Sequence, residues 1–199
     1  MTPAVHGGGG FPIVALVCSA GGIDALTRVL APLPADLPAA VIVLQHLSPH
    51  VHSELAALLD RRTALTVTVA TDGAVLRPGL VLVAPSGEHA LVTGEQTIAL
   101  IPSGGTPPYR PSADLLLTTL AVTSGARAVA VVLSGHGNDA ATGASAIHRF
   151  DGTVIASTAL TSTQASMPQA TIDRDNAVDH VVPLDDIAEL LVSLVGAAG

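Results

Sequence analysis

The sequence predicts an α/β fold with a doubly wound, mostly parallel sheet and an antiparallel hairpin insertion. Short apolar runs typical of buried strands alternate along the chain with stretches in which apolar residues recur at helical spacing. Hydrophobic residues make up 49% of the 199 residues and charged residues only 12%, a composition that suits strands buried on both faces of a parallel sheet. The length is enough for one domain with a substantial core.

Composition also predicts the domain boundaries. Residues 1–10 end in four consecutive glycines and are interpreted as a flexible leader, and residues 11–199 as the folded domain. No apolar run approaches the roughly 20 residues that span a bilayer, and the N-terminus lacks the basic-then-apolar pattern of a signal peptide. We therefore expect a cytoplasmic protein that does not insert into a membrane.

The first predicted strand, residues 14–18, ends at Ser19. Two glycines then permit a sharp turn, and Ile23, Leu26 and Leu30 recur at helical spacing. A serine at this junction lies near the unpaired N–H groups and the positive dipole end of a helix, where its hydroxyl can act on a carbonyl or bind an anion. The simpler interpretation is that Ser19 caps the helix.

A second apolar run, residues 40–44, is followed closely by His46, so His46 occupies the same kind of position as Ser19. A helix is predicted to start near Ser53. A third strand, residues 65–70, then alternates valines with threonines.

Three short apolar segments come next, separated only by Pro- and Gly-containing turns: residues 80–84, 90–92 and 97–101. They are too close together for the helical crossovers that parallel strands require. We therefore expect all three to form antiparallel hairpins.

A Pro- and Gly-rich loop, residues 102–111, leads to a helix that Ser112 caps and that ends near Gly125. The strongest buried-strand signal, residues 128–133, then runs into residues 134–140 before another helix, which repeats the arrangement of the first strand. The remaining elements are two short strands and an amphipathic helix, at residues 153–157, 178–182 and 185–195.

Ser19, His46 and Asp139 each follow an apolar strand, and polar groups at the carboxyl ends of strands collect at one edge of a doubly wound sheet. A serine hydroxyl is a weak nucleophile until a histidine accepts its proton. The histidine in turn needs an acid to fix its tautomer and stabilise its charged form. The three residue types therefore favour nucleophilic catalysis, although each taken singly is also an ordinary loop or capping residue.

Charge and residue usage exclude several functions. The formal net charge is −8 and all eight basic residues are arginines, which excludes lysine Schiff-base, lysine general-base and Walker-type phosphate chemistry. The arginines are scattered and form no basic stripe of the kind that binds nucleic acid. The one cysteine, Cys18, is predicted to be a core residue rather than a nucleophile.

Several short motifs follow one another along the chain. They are residues 17–22, 45–49, 77–79, 84–89, 110–116, 133–140 and 167–168. In this order they resemble the catalytic domain of chemotaxis receptor methylesterases of the CheB type, over residues 13–195. The first motif, for example, is similar to that family's Gly-Ala-Ser-Thr-Gly-Gly turn.

The resemblance implies hydrolysis of glutamate γ-methyl esters on chemoreceptor helices, with a related deamidation of glutamine side chains in some members. On the matching positions, Ser19 is the implied nucleophile, His46 the general base and Asp139 its orienting acid. Backbone N–H groups of the Ser19 turn and near His136 would stabilise the oxyanion. The partner would be a methylated chemoreceptor or another methylated protein, and no cofactor or metal is implied.

The expected oxyanion and pocket residues surround this triad. They are Ala20, Gly21, Tyr109, Arg110, His136 and Gly137. Tyr109 and Arg110 lie in the Pro-rich loop, where an arginine can hold a carboxylate of an acidic receptor helix. The alternative is that both residues only anchor a long loop.

Four departures from the family pattern affect these expectations. Ala20 replaces a threonine, His136 replaces a methionine and adds an imidazole, and Ala140 replaces a glycine, which matters if φ is positive there. Only about a dozen residues precede the first predicted strand, so we expect this chain to lack the receiver domain that usually precedes that strand in the family. We therefore expect any control by phosphorylation to come from a separate receiver-domain protein.

Three other functions stay open at this point. The first is a binding or regulatory module that keeps the fold without efficient catalysis. The second is dinucleotide binding, because residues 135–140 fit Gly-x-Gly-x-x-Ala after a strand, although no acidic residue ends the next strand. The third is a metal site of His46, His50 and His52, although no nearby carboxylate completes it.

Overall fold

The computed structural model of the protein describes residues 10–48, 53–104 and 109–197. The predicted flexible leader lies outside these ranges except for Gly10. The strands are β1 (Ile13–Cys18), β2 (Ala40–Gln45), β3 (Thr66–Val69), β4 (Leu80–Val83), β5 (Glu88–Val92), β6 (Ile98–Pro102), β7 (Ala128–Val132), β8 (Thr153–Ser157) and β9 (His180–Val182). The helices are α1 (Gly22–Leu30), α2 (Leu55–Asp60), α3 (Ala113–Ser124), α4 (Ala141–Arg149), α5 (Ser166–Ile172) and α6 (Ile187–Ala197). Within the described ranges, none of the helices is both long and apolar enough to cross a membrane.

Seven strands form a parallel sheet in the order β3-β4-β2-β1-β7-β8-β9. The strand β1 lies at the centre. The chain first places β2, β3 and β4 on one side of it, and then β7, β8 and β9 on the other side. Ligands of doubly wound sheets bind in the crevice at such a reversal, outside the carboxyl ends of the strands. The predicted fold class is confirmed, and Ser19 follows β1 at this crevice.

Both faces of the sheet are covered, because successive residues of a strand point to opposite sides. Val14 and Leu16 of β1 belong to a core cluster on the face covered by α1, α2 and α6. Ala15 and Val17 belong to a second cluster, on the face covered by α3, α4, α5 and the β5–β6 hairpin. Burial on both faces explains why the central strands are continuous apolar runs in the sequence.

The expectation of antiparallel pairing is wrong for residues 80–84. They form β4, which pairs in parallel with both β2 and β3. The connecting segment, residues 70–79, returns the chain without a helix and is braced by a hydrogen bond from the Leu76 N–H to the Gln96 carbonyl (2.9 Å). This braced loop replaces the helical crossover. The strands β5 and β6 do pair as an antiparallel hairpin, which confirms the predicted insertion.

The other elements lie within a few residues of their predicted positions. The helix expected near Ser53 begins at Leu55, whose N–H donates to the Ser53 hydroxyl (3.2 Å). The last helix begins at Ile187, because Leu184–Asp186 form a separate 3₁₀ turn before it.

Candidate active site

Ser19 and His46 lie next to each other at the carboxyl ends of β1 and β2. The two strands pair in parallel with Cys18 opposite Gln45, so Ser19 and His46 take the next register position. The backbone N–H of His46 donates to the carbonyl of Cys18 (3.0 Å), which extends the ladder by one bond. Both side chains line the same open cavity.

His46 and Asp139, which are 93 residues apart in the sequence, form a 2.9 Å hydrogen bond between Nε2 and Oδ2. Their side chains are 11% and 2% exposed, so water competes little for the bond. A carboxylate on one ring nitrogen orients the imidazole and stabilises its protonated form. Among the residues that the structure describes, neither the other ring nitrogen of His46 nor the Ser19 hydroxyl has a hydrogen-bond partner.

The first turn of α3 holds the carboxylate of Asp139. Its Oδ2 accepts the backbone N–H of Ala113 (2.6 Å), and its Oδ1 accepts the N–H of Asp114 (3.0 Å) and the Ser112 hydroxyl (3.2 Å). Burial alone would favour the neutral acid, but the bonds from His46 and the backbone keep the pKa of Asp139 below its usual value. Asp139 is therefore ionised and fixed in orientation at neutral pH.

Asp114 makes the corresponding contact with the loop that carries Asp139. Its Oδ1 accepts the N–H groups of Ala140 (3.0 Å) and Gly143 (2.7 Å) at the start of α4. Burial raises the pKa of Asp114, and the charge of Asp139 adds to the rise, whereas the bonds from the backbone oppose it. The two acids therefore cap each other's helices.

Ser112 is the N-cap of α3, as the sequence predicts, and its hydroxyl accepts the N–H of Leu115 (3.4 Å). Its own backbone N–H donates to Nδ1 of His89 on β5 (2.9 Å). Burial lowers the pKa of His89, and the charge of Asp139 only partly offsets this effect. A neutral imidazole is the form whose nitrogen can accept a hydrogen bond. His89 and Asp114 support the triad through these bonds. Apart from lying within the motifs of residues 84–89 and 110–116, they have no sequence feature that predicts this role.

All six of the predicted oxyanion and pocket residues lie around Ser19 and His46. The larger opening, with a volume of about 470 Å³, has the following lining: Ser19, His46, Leu47, Ser48, Tyr109, Arg110, His136 and Gly137. A neighbouring cavity of about 430 Å³ shares Ser19 and His46 and adds Ala20 and Gly21. Ser19 is therefore accessible from two sides.

Tyr109 packs against His46, with ring centroids 5.3 Å apart. Its hydroxyl donates to Oδ1 of Asn138 (2.9 Å) and accepts the Asn138 N–H (3.3 Å). Gly137 has φ 87, and a Cβ at that position would lie 2.5 Å from the Tyr109 oxygen. Only glycine therefore permits this contact, which makes Tyr109 a fixed wall of the cavity.

Arg110 both anchors its loop and lines the cavity. Its backbone carbonyl accepts the N–H of Leu47 (2.9 Å), which ties the Pro-rich loop to the segment after His46. Its Nη1 donates to the carbonyl of Gly104 (3.3 Å). A guanidinium has five N–H donors, so others remain for an acidic ligand.

Four backbone N–H groups near Ser19 have no hydrogen-bond partner among the described residues. They belong to Ala20 and Gly21 in the turn after β1, and to His136 and Gly137 in the loop after β7. Unpaired N–H groups stabilise an oxyanion when the developing charge lies within hydrogen-bonding distance.

Gly135 packs directly against Ser19. A Cβ at this position would lie 2.8 Å from the Cβ of Ser19 and 2.6 Å from the sulfur of Met167. The missing side chain lets the loop after β7 approach the turn after β1, so Gly135 helps to position Ser19.

A family model described as CheB methylesterase matches residues 14–191. The chain belongs to the CheB methylesterase family. The crystal structure of the Thermotoga maritima CheB methylesterase catalytic domain superposes with a TM-score of 0.89 at 33% sequence identity. That match covers 94% of this chain and 100% of the other.

Curated CheB-type relatives carry the name protein-glutamate methylesterase/protein-glutamine glutaminase. The one from Moorella thermoacetica is 41% identical over 194 residues, with 96% of this chain and 46% of the relative covered. One from Pseudomonas putida is 35% identical over 182 residues, with 92% of this chain and 48% of the relative covered. The chain spans about half the length of the curated relatives it matches.

One departure from the CheB pattern has a structural cost. Ala140, where the family pattern has glycine, has φ 95, and a left-handed conformation costs a residue with a side chain about 1–2 kcal/mol. Ala140 is also the N-cap of α4 and has no side chain that could cap the helix. The carboxylate of Asp114 takes over that function.

The structure does not support either of the alternative ligands, a metal ion or a dinucleotide. The metal site of His46, His50 and His52 lies partly outside the described residues, and within them no group of three or more His, Cys, Asp or Glu residues could hold a metal ion. The start of α4, where a bound dinucleotide would place its pyrophosphate, already holds the carboxylate of Asp114. A second negative group there would be repelled.

Ser19 does not have the simpler role of a helix cap, whereas Cys18 is the core residue that the sequence predicts. The N-cap of α1 is Gly21, so Ser19 does not cap that helix. Cys18 is fully buried in the core, and burial raises the pKa of its thiol, which removes it as a nucleophile.

Proposed function

We propose that this chain is a serine hydrolase that cleaves glutamate γ-methyl esters on proteins, with Ser19 as nucleophile, His46 as general base and Asp139 as orienting acid. The observation that carries the proposal is the 2.9 Å bond between His46 and the buried Asp139, beside Ser19 at one cavity. Membership of the CheB methylesterase family supports the reaction class. The names of the curated relatives support the substrate group.

In the first half of the reaction, the Ser19 oxygen attacks the ester carbonyl carbon. The nitrogen of His46 that is not bonded to Asp139 takes the hydroxyl proton. The carbonyl oxygen becomes an oxyanion that accepts backbone N–H bonds, and one such donor is typically worth about 3 kcal/mol. The bond to the methoxy oxygen then breaks, His46 returns its proton to that oxygen, and methanol leaves an acyl-enzyme.

In the second half, water attacks the acyl carbon while His46 takes a proton from it. The bond to the Ser19 oxygen breaks, His46 protonates that oxygen, and the glutamate side chain is released. A glutamine side chain would follow the same steps with ammonia as the leaving group. We propose this deamidation as a second reaction, because the relatives' name joins both activities.

For the macromolecular partner, we propose a methylated chemoreceptor or another methylated protein. An open cavity of about 470 Å³ suits a side chain that another protein presents from its surface. Arg110 at its wall can pair with the carboxylates of an acidic helix. By analogy with the family, we propose that residues 11–199 act as the catalytic unit and that a separate receiver-domain protein regulates it.

Intact-mass analysis after incubation with a fluorophosphonate tests the nucleophile directly. We expect a single adduct on the wild-type protein and none on Ser19→Ala. The matched control is Ser193→Ala, which alters an exposed serine on α6 outside both cavities and should keep the adduct. A folded wild-type protein that forms no adduct would overturn the assignment of Ser19 and favour a binding module.

Methanol release from a methylated receptor, measured on the same variants, tests the substrate class. We expect release by the wild-type protein and a loss of about 1,000-fold or more in Ser19→Ala, since a triad residue acts as part of a unit. An adduct without methanol release would keep the serine hydrolase and overturn the methyl-ester substrate.

A further inference from the structure

Asp139 and Asp114 each accept backbone N–H groups at the start of the helix that lies beside the other residue. Asp139, just before α4, accepts the N–H groups of Ala113 and Asp114 in the first turn of α3. Asp114 accepts the N–H groups of Ala140, the N-cap of α4, and of Gly143 in the first turn of α4. Each carboxylate therefore pairs N–H groups that lack a partner within their own helix, at the positive end of that helix.

We propose that Asp114 is a positioning residue for Asp139, and that it acts as a hydrogen-bond acceptor rather than as a charge. The proposal rests on the proposed function, because it concerns the acid of the triad. Within the described residues, Asp114 makes no hydrogen bond with Ser19 or His46. Its effect on catalysis must therefore pass through Asp139 and the loop that carries it.

The backbone of Ala140 explains why this loop needs to be held. Ala140 directly follows Asp139 and has φ 95, which residues with a side chain rarely adopt. Its N–H is one of the two that Asp114 accepts. Without that acceptor, φ of Ala140 can relax to the negative values that residues with a side chain prefer. This rotation moves the Asp139 carboxylate relative to His46.

The charge of Asp114 opposes the ionisation of Asp139. The negative charge of Asp139 raises the pKa of Asp114, and the effect is mutual, so a charged Asp114 makes a charged Asp139 less favourable. The two N–H groups are both bonded to Oδ1. Asparagine keeps an oxygen at that position without the charge, so Asp114→Asn separates the two possible roles.

The test compares kcat and KM for methanol release in wild type, Asp114→Ala and Asp114→Asn. For Asp114→Ala we expect kcat to fall by about 10- to 100-fold with KM nearly unchanged, because misplacement by about 1 Å costs up to about 100-fold. For Asp114→Asn we expect kcat within about threefold of wild type. The control is Asp179→Ala, which removes a similar bond to the Val154 N–H (2.8 Å) away from the triad.

Two results would overturn the proposal. One is a folded Asp114→Ala protein with wild-type kcat, and the other is an Asp114→Asn protein as impaired as Asp114→Ala, since charge would then be the essential property. If Asp114→Ala does not fold, Asp114→Glu decides the question by keeping the charge and moving the oxygens by one methylene. The proposal then requires a fall in kcat of about tenfold or more, and wild-type kcat overturns it.

A measurement without substrate separates this proposal from the proposed function. The ring N–H proton shared by His46 and Asp139 should give a low-field proton NMR resonance, assigned by its loss in His46→Gln. We expect it to persist in Asp114→Asn and to shift or broaden in Asp114→Ala. An unchanged resonance in Asp114→Ala overturns the positioning role. A changed resonance in a protein whose wild type releases no methanol counts against the proposed function alone.

Discussion

The imidazole of His46 stacks on the phenol ring of Tyr109, with ring centroids 5.3 Å apart and planes inclined by 26°. Tyr109 is held in turn by two hydrogen bonds with Asn138, the residue before Asp139. The loop after β7 therefore controls His46 in two ways, through the carboxylate bond of Asp139 and through the ring that Asn138 supports. The stacking restrains rotation of the imidazole about its bond to Asp139.

Replacing Tyr109 separates its two contacts. Tyr109→Phe keeps the stacking and loses the bonds to Asn138, so we expect kcat for ester hydrolysis to fall by less than about threefold. Tyr109→Ala also loses the stacking. Since such ring contacts are worth about 0.5–1.5 kcal/mol, we expect a further fall of about 2- to 10-fold. Equal kcat values for the two variants in the methanol assay would contradict a role for the stacking.

The left-handed backbone of Ala140 predicts an unusual response to glycine. Ala140→Gly and Ala144→Gly each remove a fully buried methyl group and add the flexibility of glycine, but only the first relieves a positive φ. We therefore expect the free energy of unfolding of Ala140→Gly to exceed that of Ala144→Gly by about 1–2 kcal/mol. Urea denaturation of the two variants measures this difference. Equal losses of stability would contradict the left-handed conformation.

The meeting of Ser19, His46 and Asp139 could be predicted because each follows a strand that is recognisable as an apolar run. Parallel strands end at the same edge of the sheet, so three residues that each follow such a run were expected at that one edge. A different rule, that parallel strands require a helical crossover, gave the wrong pairing for residues 80–84, where β4 lies parallel to its neighbours without one. A loop braced by contacts with a distant hairpin has no signature in local spacing.

The supporting residues could not be predicted for a different reason. Asp114 bonds the backbone of Gly143, and His89 bonds the backbone of Ser112. Backbone N–H groups are present at almost every position, so the sequence does not indicate which of them a given side chain will find. Only the packing of α3 against α4 and against β5 decides these pairs.

His89 predicts a pH dependence of stability. Burial lowers its pKa in the folded protein below the ordinary value of 6.5, with the charge of Asp139 opposing the shift. The unfolded chain then takes up a proton at a higher pH than the folded protein does, and stability rises with pH wherever the unfolded state binds more protons. The contribution of His89 is therefore complete above pH 6.5 and is lost as pH falls from there through the folded pKa.

His89→Asn isolates this contribution, because asparagine offers an oxygen to the Ser112 N–H but does not titrate in this range. We expect wild type to lose more stability than His89→Asn between about pH 7 and about pH 5, in urea unfolding followed at several pH values. Parallel curves for the two proteins would show that the folded protein binds the His89 proton as readily as the unfolded chain does.

Gly135 predicts a loss of nucleophile reactivity without any change in the triad itself. In Gly135→Ala the new methyl group would lie 2.8 Å from the Cβ of Ser19 and 2.6 Å from the Met167 sulfur, so one of them must move. We expect the rate of fluorophosphonate labelling to fall by about 100-fold, the typical cost of a 1 Å misplacement. The control is Gly94→Ala, because a Cβ there meets nothing within 4 Å.

A second variant identifies which of the two contacts causes that loss. Gly135→Ala combined with Met167→Ala removes the clash with the sulfur and leaves the clash with Ser19. If displacement of Ser19 is the cause, the double variant labels as slowly as Gly135→Ala, while Met167→Ala alone labels faster than either. Recovery of the labelling rate in the double variant would instead assign the effect to Met167, and Gly135 would then serve the core beneath the site rather than the position of the nucleophile.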